Sequence, residues 1–221
     1  RQKAARCRAA RERAERIKAA LERLPELEAK KGPQEKDKAR CSTTDAEATV
    51  MKMADGGFRP AYNFQFATDT ASQVIVGAGV ETTGSDAGQM VPMVDQVEDR
   101  TGKIPPAWLV DGGFAQHDQI DAVSAPGLGS TVYAPVPKPK DPKVNRFEPK
   151  PSDSAAVAGW RERMATDQAK VIYKDRAATA ECINALARGR GLIRLLVRGL
   201  AKVKAIALWY ALAHNLLRAA Q

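Results

Sequence analysis

Trp108-Leu109-Val110-Asp111-Gly112-Gly113 is the stretch on which the fold of this 221-residue chain turns. A short apolar run that ends in a carboxylate and a glycine pair reads as a buried strand, of the kind found in parallel sheets, that stops abruptly. Upstream, Thr49, Met51 and Met53 alternate. Tyr62, Phe64 and Phe66 then face one way while Asn63 and Gln65 face the other. Val74-Ile75-Val76 follows a polar turn at Asp69 to Ser72, which predicts an antiparallel hairpin. Ser85 or Asp86 is expected to cap a helix carrying Met90, Met93, Val94 and Val97, with Thr101-Gly102-Lys103 at its end. Downstream, a helix around Gln116 to Val123 and a strand at Thr131 to Ala134 complete a β-β-α-β-α-β order. That order predicts mixed α/β architecture.

The flanks follow other patterns. From Arg1 to Leu24, Cys7, Ala10, Ala14, Ile17, Leu21 and Leu24 recur at three- and four-residue steps, a thin coiled-coil-like seam expected to pair with a helix of its own chain. Pro25 and Lys30-Lys31-Gly32-Pro33 break that pattern and begin a polar linker, so residues 1–40 read as a basic helical segment and 41–221 as the main domain. Residues 135–151 hold six prolines among several lysines and read as an extended, exposed insertion. Ser152 or Asp153 is expected to cap a helix through Trp160 and Met164, and Thr166 a second one from about Asp167 to Arg188. After the Gly189-Arg190-Gly191 break, a last helix from about Leu200 to Ala219 is apolar on most faces, as a buried helix would be.

Lys and Arg number 35 against 26 Asp and Glu, for a net charge of +9. The excess sits at the ends: residues 1–31 carry +6 and residues 182–221 carry +7, around a middle of −4. Basic ends of this kind attract a polyanion through counterion release, which makes nucleic acid the first partner to consider. Hydrophobic residues at 44% supply a core, and aromatics at 5% make it an aliphatic one. Cys7, Cys41 and Cys182 stand far apart and fit neither a disulfide framework nor a zinc site, so a reducing, cytoplasmic setting is expected. No apolar run reaches the ~20 residues of a membrane-spanning helix. The chain opens on Arg1 in mid-pattern, as a piece of something longer would.

Two carboxylates stand out. Asp111 lies at the carboxyl end of its strand, where open α/β sheets bind ligands, although an Asp-Gly pair there also makes a plain turn. Glu181 shares a helix face with Lys174, Ala178, Ala185 and Arg188, opposite Ile172, Thr179, Ile183 and Leu186. A carboxylate flanked by cations and alanines suits a metal-and-phosphate site, and equally a solvated face with a helical ion pair. His214 reads as a packed or capping histidine, His117 as a surface residue and Asp86 as a helix cap.

The run Tyr173-x-x-Arg176-x-x-x-x-Glu181-x6-Arg188 resembles the Tyr-Arg-Glu-Lys signature of DDE transposases from bacterial insertion sequences. Asp111-Gly-Gly-Phe114 is similar to their Asp-x-Gly-Tyr strand end, and Ala61-Tyr62-Asn63-Phe64-Gln65 to their Gly-Tyr-Asn-Val-Gln strand. Arg198-Gly199-Leu200-Ala201-Lys202-Val203 with Ala211-Leu212-Ala213-His214-Asn215-Leu216 resembles the family's closing helix. The matches run in family order over roughly residues 42–220. The resemblance implies a ribonuclease H-like mixed sheet with flanking helices, in which two aspartates and a glutamate hold two Mg²⁺ ions, with Mn²⁺ as a substitute. By that correspondence Asp111 and Glu181 are catalytic metal ligands and Tyr173, Arg176 and Arg188 are the signature's accessory positions; with the cations Lys174, Arg190, Arg194 and Arg198 nearby, these three are expected to face DNA.

The pattern departs from the family in three places. Arg188 replaces the usual Lys, and four residues rather than the often-cited three separate Arg176 from Glu181. The Asp-Gly-Thr-like strand that carries the family's first catalytic Asp has no counterpart before Asp45, while Asp45 reads as a turn residue and Asp69 as a hairpin tip. The expectation is therefore a C-terminal transposase piece whose fold lacks its first strand and which does not cut DNA alone. The intact protein is expected to be a cytoplasmic, homo-oligomeric enzyme acting on element ends and target DNA, without membrane association. The rival reading is a non-catalytic DNA-binding or regulatory remnant; a coiled-coil adaptor built on residues 1–24 is a third.

Overall fold

The computed structural model describes residues 1–53 and 55–220, which form a mixed α/β protein of helices and small sheets. Two compact units divide them: residues 1–64, 80–84 and 194–208 make the first, and residues 65–79, 85–193 and those from Trp209 on make the second.

The first unit begins with α1 (Gln2–Ala29), which runs through Pro25 instead of ending there. The turn beyond the proline is closed by Lys30 on Glu26 at 2.6 Å. The apolar seam of α1 stands largely exposed, and the one buried residue of the helix, Ala20, lies outside it, because small knobs offer too little area to recruit a covering helix. Arg23 instead anchors α1, donating to the Ala46 carbonyl and to Thr49 Oγ1. Strands β1 (Thr49–Lys52) and β2 (Phe58–Ala61) pair antiparallel, with Thr49 opposite Ala61 and Lys52 opposite Phe58. β2 was not legible as a strand because Pro60 lies inside it, which is tolerated on an edge.

The last helix, α7 (Leu200–Ala219), starts in this unit, and two carboxylates cap it. The Gly199 N–H donates to Asp45 Oδ2 at 2.9 Å and the Leu200 N–H to Glu47 Oε2 at 2.5 Å. Tyr62 donates its hydroxyl to the same Asp45 oxygen at 2.8 Å. Burial, reinforced by Asp45, pushes the Tyr62 phenol well above its ordinary range. Asp45 is thus more than a turn residue: it fastens a residue 154 positions away in sequence.

The second unit centres on a β-α-β crossover. Strand β5 (Ala107–Leu109) pairs parallel with β6 (Thr131–Tyr133), Trp108 opposite Val132, and α3 (His117–Ser124) connects them. The parallel character expected from the apolar run is therefore present. Met90, Val94, Val110, Ile120, Val123, Val132 and Trp160 form the largest buried cluster, joined by Met164 of helix α4 (Ala155–Ala165). The Trp160 indole N–H donates to the Ala134 carbonyl at 3.0 Å. Ser154, rather than Ser152 or Asp153, caps α4, because Asp153 accepts from the Lys150 N–H and from Arg161 instead. Arg161 also donates to the Arg146 carbonyl, and Phe147 packs on the main cluster. The proline-rich stretch is therefore tied to α4 and not wholly exposed.

Strands β3 (Asn63–Thr68) and β4 (Ile75–Glu81) pair as a hairpin through the turn at Asp69, whose carboxylate accepts from Ser72. The alternation expected in β3 is present, and Gln65 and Ala67 lie on its buried face. Helix α2 (Met90–Thr101) lies close on the hairpin at Gly77, where a Cβ would stand 2.6 Å from Met93 Sδ. The final turns of α7 grip the hairpin. Asn215 accepts from the Ile75 N–H and donates to the Ile75 carbonyl, both at 2.8 Å, while the His214 ring bonds the Gln73 carbonyl at 3.0 Å. His214 is packed, as expected. The helix is nevertheless not buried all round, since Trp209 (68% exposed), Leu212 and Leu216 face solvent. The strands pair as three two-stranded sheets rather than one mixed sheet, and no described strand joins β3 to β5.

Candidate functional site

Asp111 follows β5 by two residues, and the Val110 N–H still pairs with the Tyr133 carbonyl at 3.0 Å. Its Oδ1 accepts the Gly113 N–H at 2.9 Å, so the plain-turn reading holds as far as the backbone goes. Its other oxygen faces a different partner. Arg176 Nη2 lies 3.5 Å from Asp111 Oδ2, while Nη1 of the same guanidinium donates to Glu181 Oε1 at 2.8 Å. One arginine therefore bridges the two carboxylates singled out in the sequence.

Arg176 ends α5 (Asp167–Arg176), which Thr166 caps as expected. Helix α5 is pinned to the strand end by Tyr173, whose hydroxyl donates to the Val110 carbonyl at 3.1 Å. Burial raises the Tyr173 phenol; Arg176 opposes that shift, and Asp111 and Glu181 add to it. The continuous helix expected over 167–188 is interrupted by a π-helical turn at Ala177–Glu181 before α6 (Cys182–Gly189). In an unbroken α-helix Glu181, five residues on from Arg176, would lie roughly 140° around the axis. The π turn, hydrogen-bonded i to i+5, returns it to the same face. The extra residue between Arg176 and Glu181 is thus absorbed locally, and the pair meets. Thr179, buried, steadies the turn by donating to the Asp175 carbonyl at 2.8 Å.

Lys174 and Arg188 are exposed, as is Arg190, which lies against Tyr210. Arg194 and Arg198 are also exposed but belong to the first unit. His117 is a surface residue, edge-on to Trp160. Asp86 is not a helix cap. Helix α2 begins three residues further on with Gln89 as its N-cap, and the Asp86 side chain instead accepts from Gln65 Nε2 at 2.9 Å. Its Oδ2 points at Gly113: a Cβ on that glycine would stand 3.1 Å from Asp111 Oδ1 and 3.2 Å from Asp86 Oδ2. Sequence reasoning missed Asp86 because Ser85-Asp86 before an apolar run is an ordinary cap pattern. The available signal was the unexplained glutamine of the hairpin strand, Gln65. Among the described residues no three His, Cys, Asp or Glu side chains converge closely enough to enclose a metal.

A strand-end aspartate joined through an arginine to a helical glutamate places the site in the class of carboxylate sites at α/β strand ends. Comparison with protein families sharpens this, because residues 137–220 match the family described as transposase DDE domain. The matched region holds Tyr173, Arg176, Glu181 and Arg188, and it supports a DDE transposase read through its C-terminal region. No curated protein and no solved structure matches the chain. No helix among the described residues is long and apolar enough to cross a membrane.

Proposed function

We propose that this chain carries the carboxylate site of an insertion-sequence transposase with a ribonuclease H-like core, and that Asp111 and Glu181 act in DNA strand cleavage and transfer. The observation that carries this reading is the Arg176 bridge, in which one guanidinium contacts both carboxylates. The parallel β5-α3-β6 unit and the β3-β4 hairpin support the fold assignment.

The donor set fits a divalent cation. Mg²⁺ is held by oxygen ligands, with one or two carboxylates and substrate phosphate completing the shell. Bound at Asp111 and Glu181, such an ion would activate the attacking oxygen and stabilise the leaving one in an in-line displacement at phosphorus. The chain's own residues do the rest. Arg176 neutralises the carboxylate pair before substrate arrives and is then placed to hold a phosphate through two N–H donors. Tyr173 fixes α5 on the strand end, so the spacing of the carboxylates does not depend on the ligand. Arg188 and Arg190, exposed at the end of α6, supply phosphate contacts without base preference.

The test is Asp111→Asn and Glu181→Gln in the intact reading frame. Each abolishes DNA cleavage and leaves DNA affinity near the unaltered value, because a ligand to the cation has gone while the phosphate contacts remain. Near-normal cleavage by either variant removes that residue from the mechanism, and DNA binding without any metal-dependent cleavage favours the regulatory remnant.

A further inference from the structure

We propose that the outward face of the last turns of α7, built on Trp209, Leu212 and Leu216, is the contact surface for a second copy of this chain. This goes beyond the reading above and does not depend on Asp111 or Glu181. The three side chains recur at steps of three and four, the spacing of a helix-to-helix seam. They stand 68, 49 and 63% exposed, and Leu217 beside them 51%. Ala213, also exposed, flanks the stripe with a side chain short enough for another helix to approach closely. A single exposed leucine is ordinary on a protein surface, whereas a continuous stripe headed by an indole marks a contact.

The chemistry of the stripe identifies its occupant. Beyond Trp209, the polar side chains of the helix are Tyr210, His214, Asn215 and Arg218, and all of them turn to the hairpin. Asn215 holds the Ile75 backbone, His214 the Gln73 carbonyl and Arg218 the Ser72 carbonyl at 3.3 Å, while Tyr210 packs on Phe66. The stripe keeps no charge and one donor, the Trp209 indole N–H, so neither a polyanion nor an acidic partner has a cation there to pair with. A second copy needs none. A two-fold contact sets the same patch on both sides, and an uncharged stripe meets its mate with no ion to desolvate. Trp209, Leu212, Leu216 and Leu217 leave on the order of 400 Å² of apolar surface open, within the range of patches that are commonly functional. Paired with the alanine and backbone surface around them, two copies bury on the order of 1,000 Å², the size of a weak, reversible interface.

Sedimentation equilibrium of the 221-residue chain tests this without catalysis. The unaltered chain should pass from monomer to dimer as its concentration rises through the micromolar range, and Trp209→Ala should raise the dimer dissociation constant about tenfold or more. Leu212 lies at the middle of the stripe and so faces its own mate. Leu212→Glu should therefore keep the chain monomeric by setting two carboxylates against each other, with circular dichroism unchanged, and mixing it with Leu212→Lys should restore a dimer. That rescue separates a lost contact from a misfolded chain. A chain that stays monomeric throughout, a dimer that tolerates both Trp209→Ala and Leu212→Glu, or a mixture that does not associate overturns the proposal. A dimer lost in Leu21→Glu and kept in Leu212→Glu also overturns it and moves the contact to the α1 seam. Retention of a monomeric unaltered chain on vesicles of anionic lipid, lost in Trp209→Ala, overturns it in favour of a lipid surface.

Discussion

Two groups of acidic residues in this protein are held in opposite ways. In the first unit, Asp45 and Glu47 accept from the backbone N–H groups of Gly199 and Leu200 and from the Tyr62 hydroxyl. The two backbone donors are fixed by the helix they begin, so the carboxylates are committed to capping it and to its positive end. In the second unit, Asp111 and Glu181 share the guanidinium of Arg176 and Asp86 takes a glutamine amide, while the one backbone donor to Asp111, the Gly113 N–H, belongs to its own turn and not to a helix start. Side-chain donors can rotate away; backbone donors at a helix start cannot. The difference teaches that a carboxylate's partner, more than its exposure, separates structural from functional candidates here.

The comparison breaks most visibly in cleavage assays. Glu181→Gln in the intact reading frame should reduce strand cleavage to background, whereas Glu47→Gln should alter it only through stability. Equal losses in the two variants would show that the distinction by partner is wrong.

The next largest effect concerns a third kind of carboxylate, fully enclosed. Asp153 and Arg161 pair at 2.6 Å with side chains 1% and 6% exposed. Removing one partner of such a pair costs about 3–5 kcal/mol, so Arg161→Ala should show that loss in denaturant melts, along with freer proteolysis of 135–151. Burial acts to raise the Asp153 carboxyl, but the Lys150 N–H and Arg161 outweigh it and hold it below the usual carboxylate range. A depressed folded pKa means the pair's stabilisation is present above the unfolded value near 3.8 and is lost as pH falls through the lower folded one. Stability of the unaltered protein should therefore fall below about pH 4 more steeply than that of an Asp153→Asn variant. Parallel curves would contradict it.

A smaller effect sharpens the capping half of the comparison. Asp45→Ala should cost about 1–2 kcal/mol, the value of a helix cap. Gly199→Ala should cost at least as much, because φ is +87° there and the new Cβ would stand 3.1 Å from Glu47 Oε2. Loss from Gly199→Ala without loss from Asp45→Ala would assign the effect to backbone strain alone.

The smallest expected effect is at the π turn. Deleting Ala178 leaves Arg176 and Glu181 four apart on a regular α-helix, still neighbours on one face. The unfolding free energy should change little, within about 1 kcal/mol, and cleavage should survive. Deleting three residues leaves them two apart, roughly 200° around the axis, and should abolish cleavage without unfolding α5. Survival of cleavage in the triple deletion would detach Glu181 from the site.

Much of this was legible in the sequence. The β-α-β order around Asp111, the C-terminal end of α2, the ends of α7, the Thr166 cap and the Tyr173 to Arg188 spacing all rest on neighbours within a few residues, where periodicity and capping chemistry act. The illegible parts depended on partners far along the chain. The alternation of β3 was legible but its inward face was not: Gln65 is buried with Asp86, 21 residues on, accepting its amide. The seam on α1 suggested a covering helix, and the apolar α7 suggested burial all round; neither held, since burial depends on what packs alongside.

What the sequence determined by itself is therefore the local grammar: which residues make strands and helices, where the carboxylates fall, and how the Tyr173, Arg176, Glu181 and Arg188 positions are spaced. What only the tertiary structure decided is how each acidic side chain is engaged. Asp45 and Glu47 cap a helix some 150 residues away, Asp86 leaves its expected cap for Gln65 and Gly113, and Arg176 joins Asp111 to Glu181 across a π turn. The physical reason is range. Backbone preferences are set by adjacent dihedrals, whereas a carboxylate's role is set by whichever donors the fold brings within 3 Å.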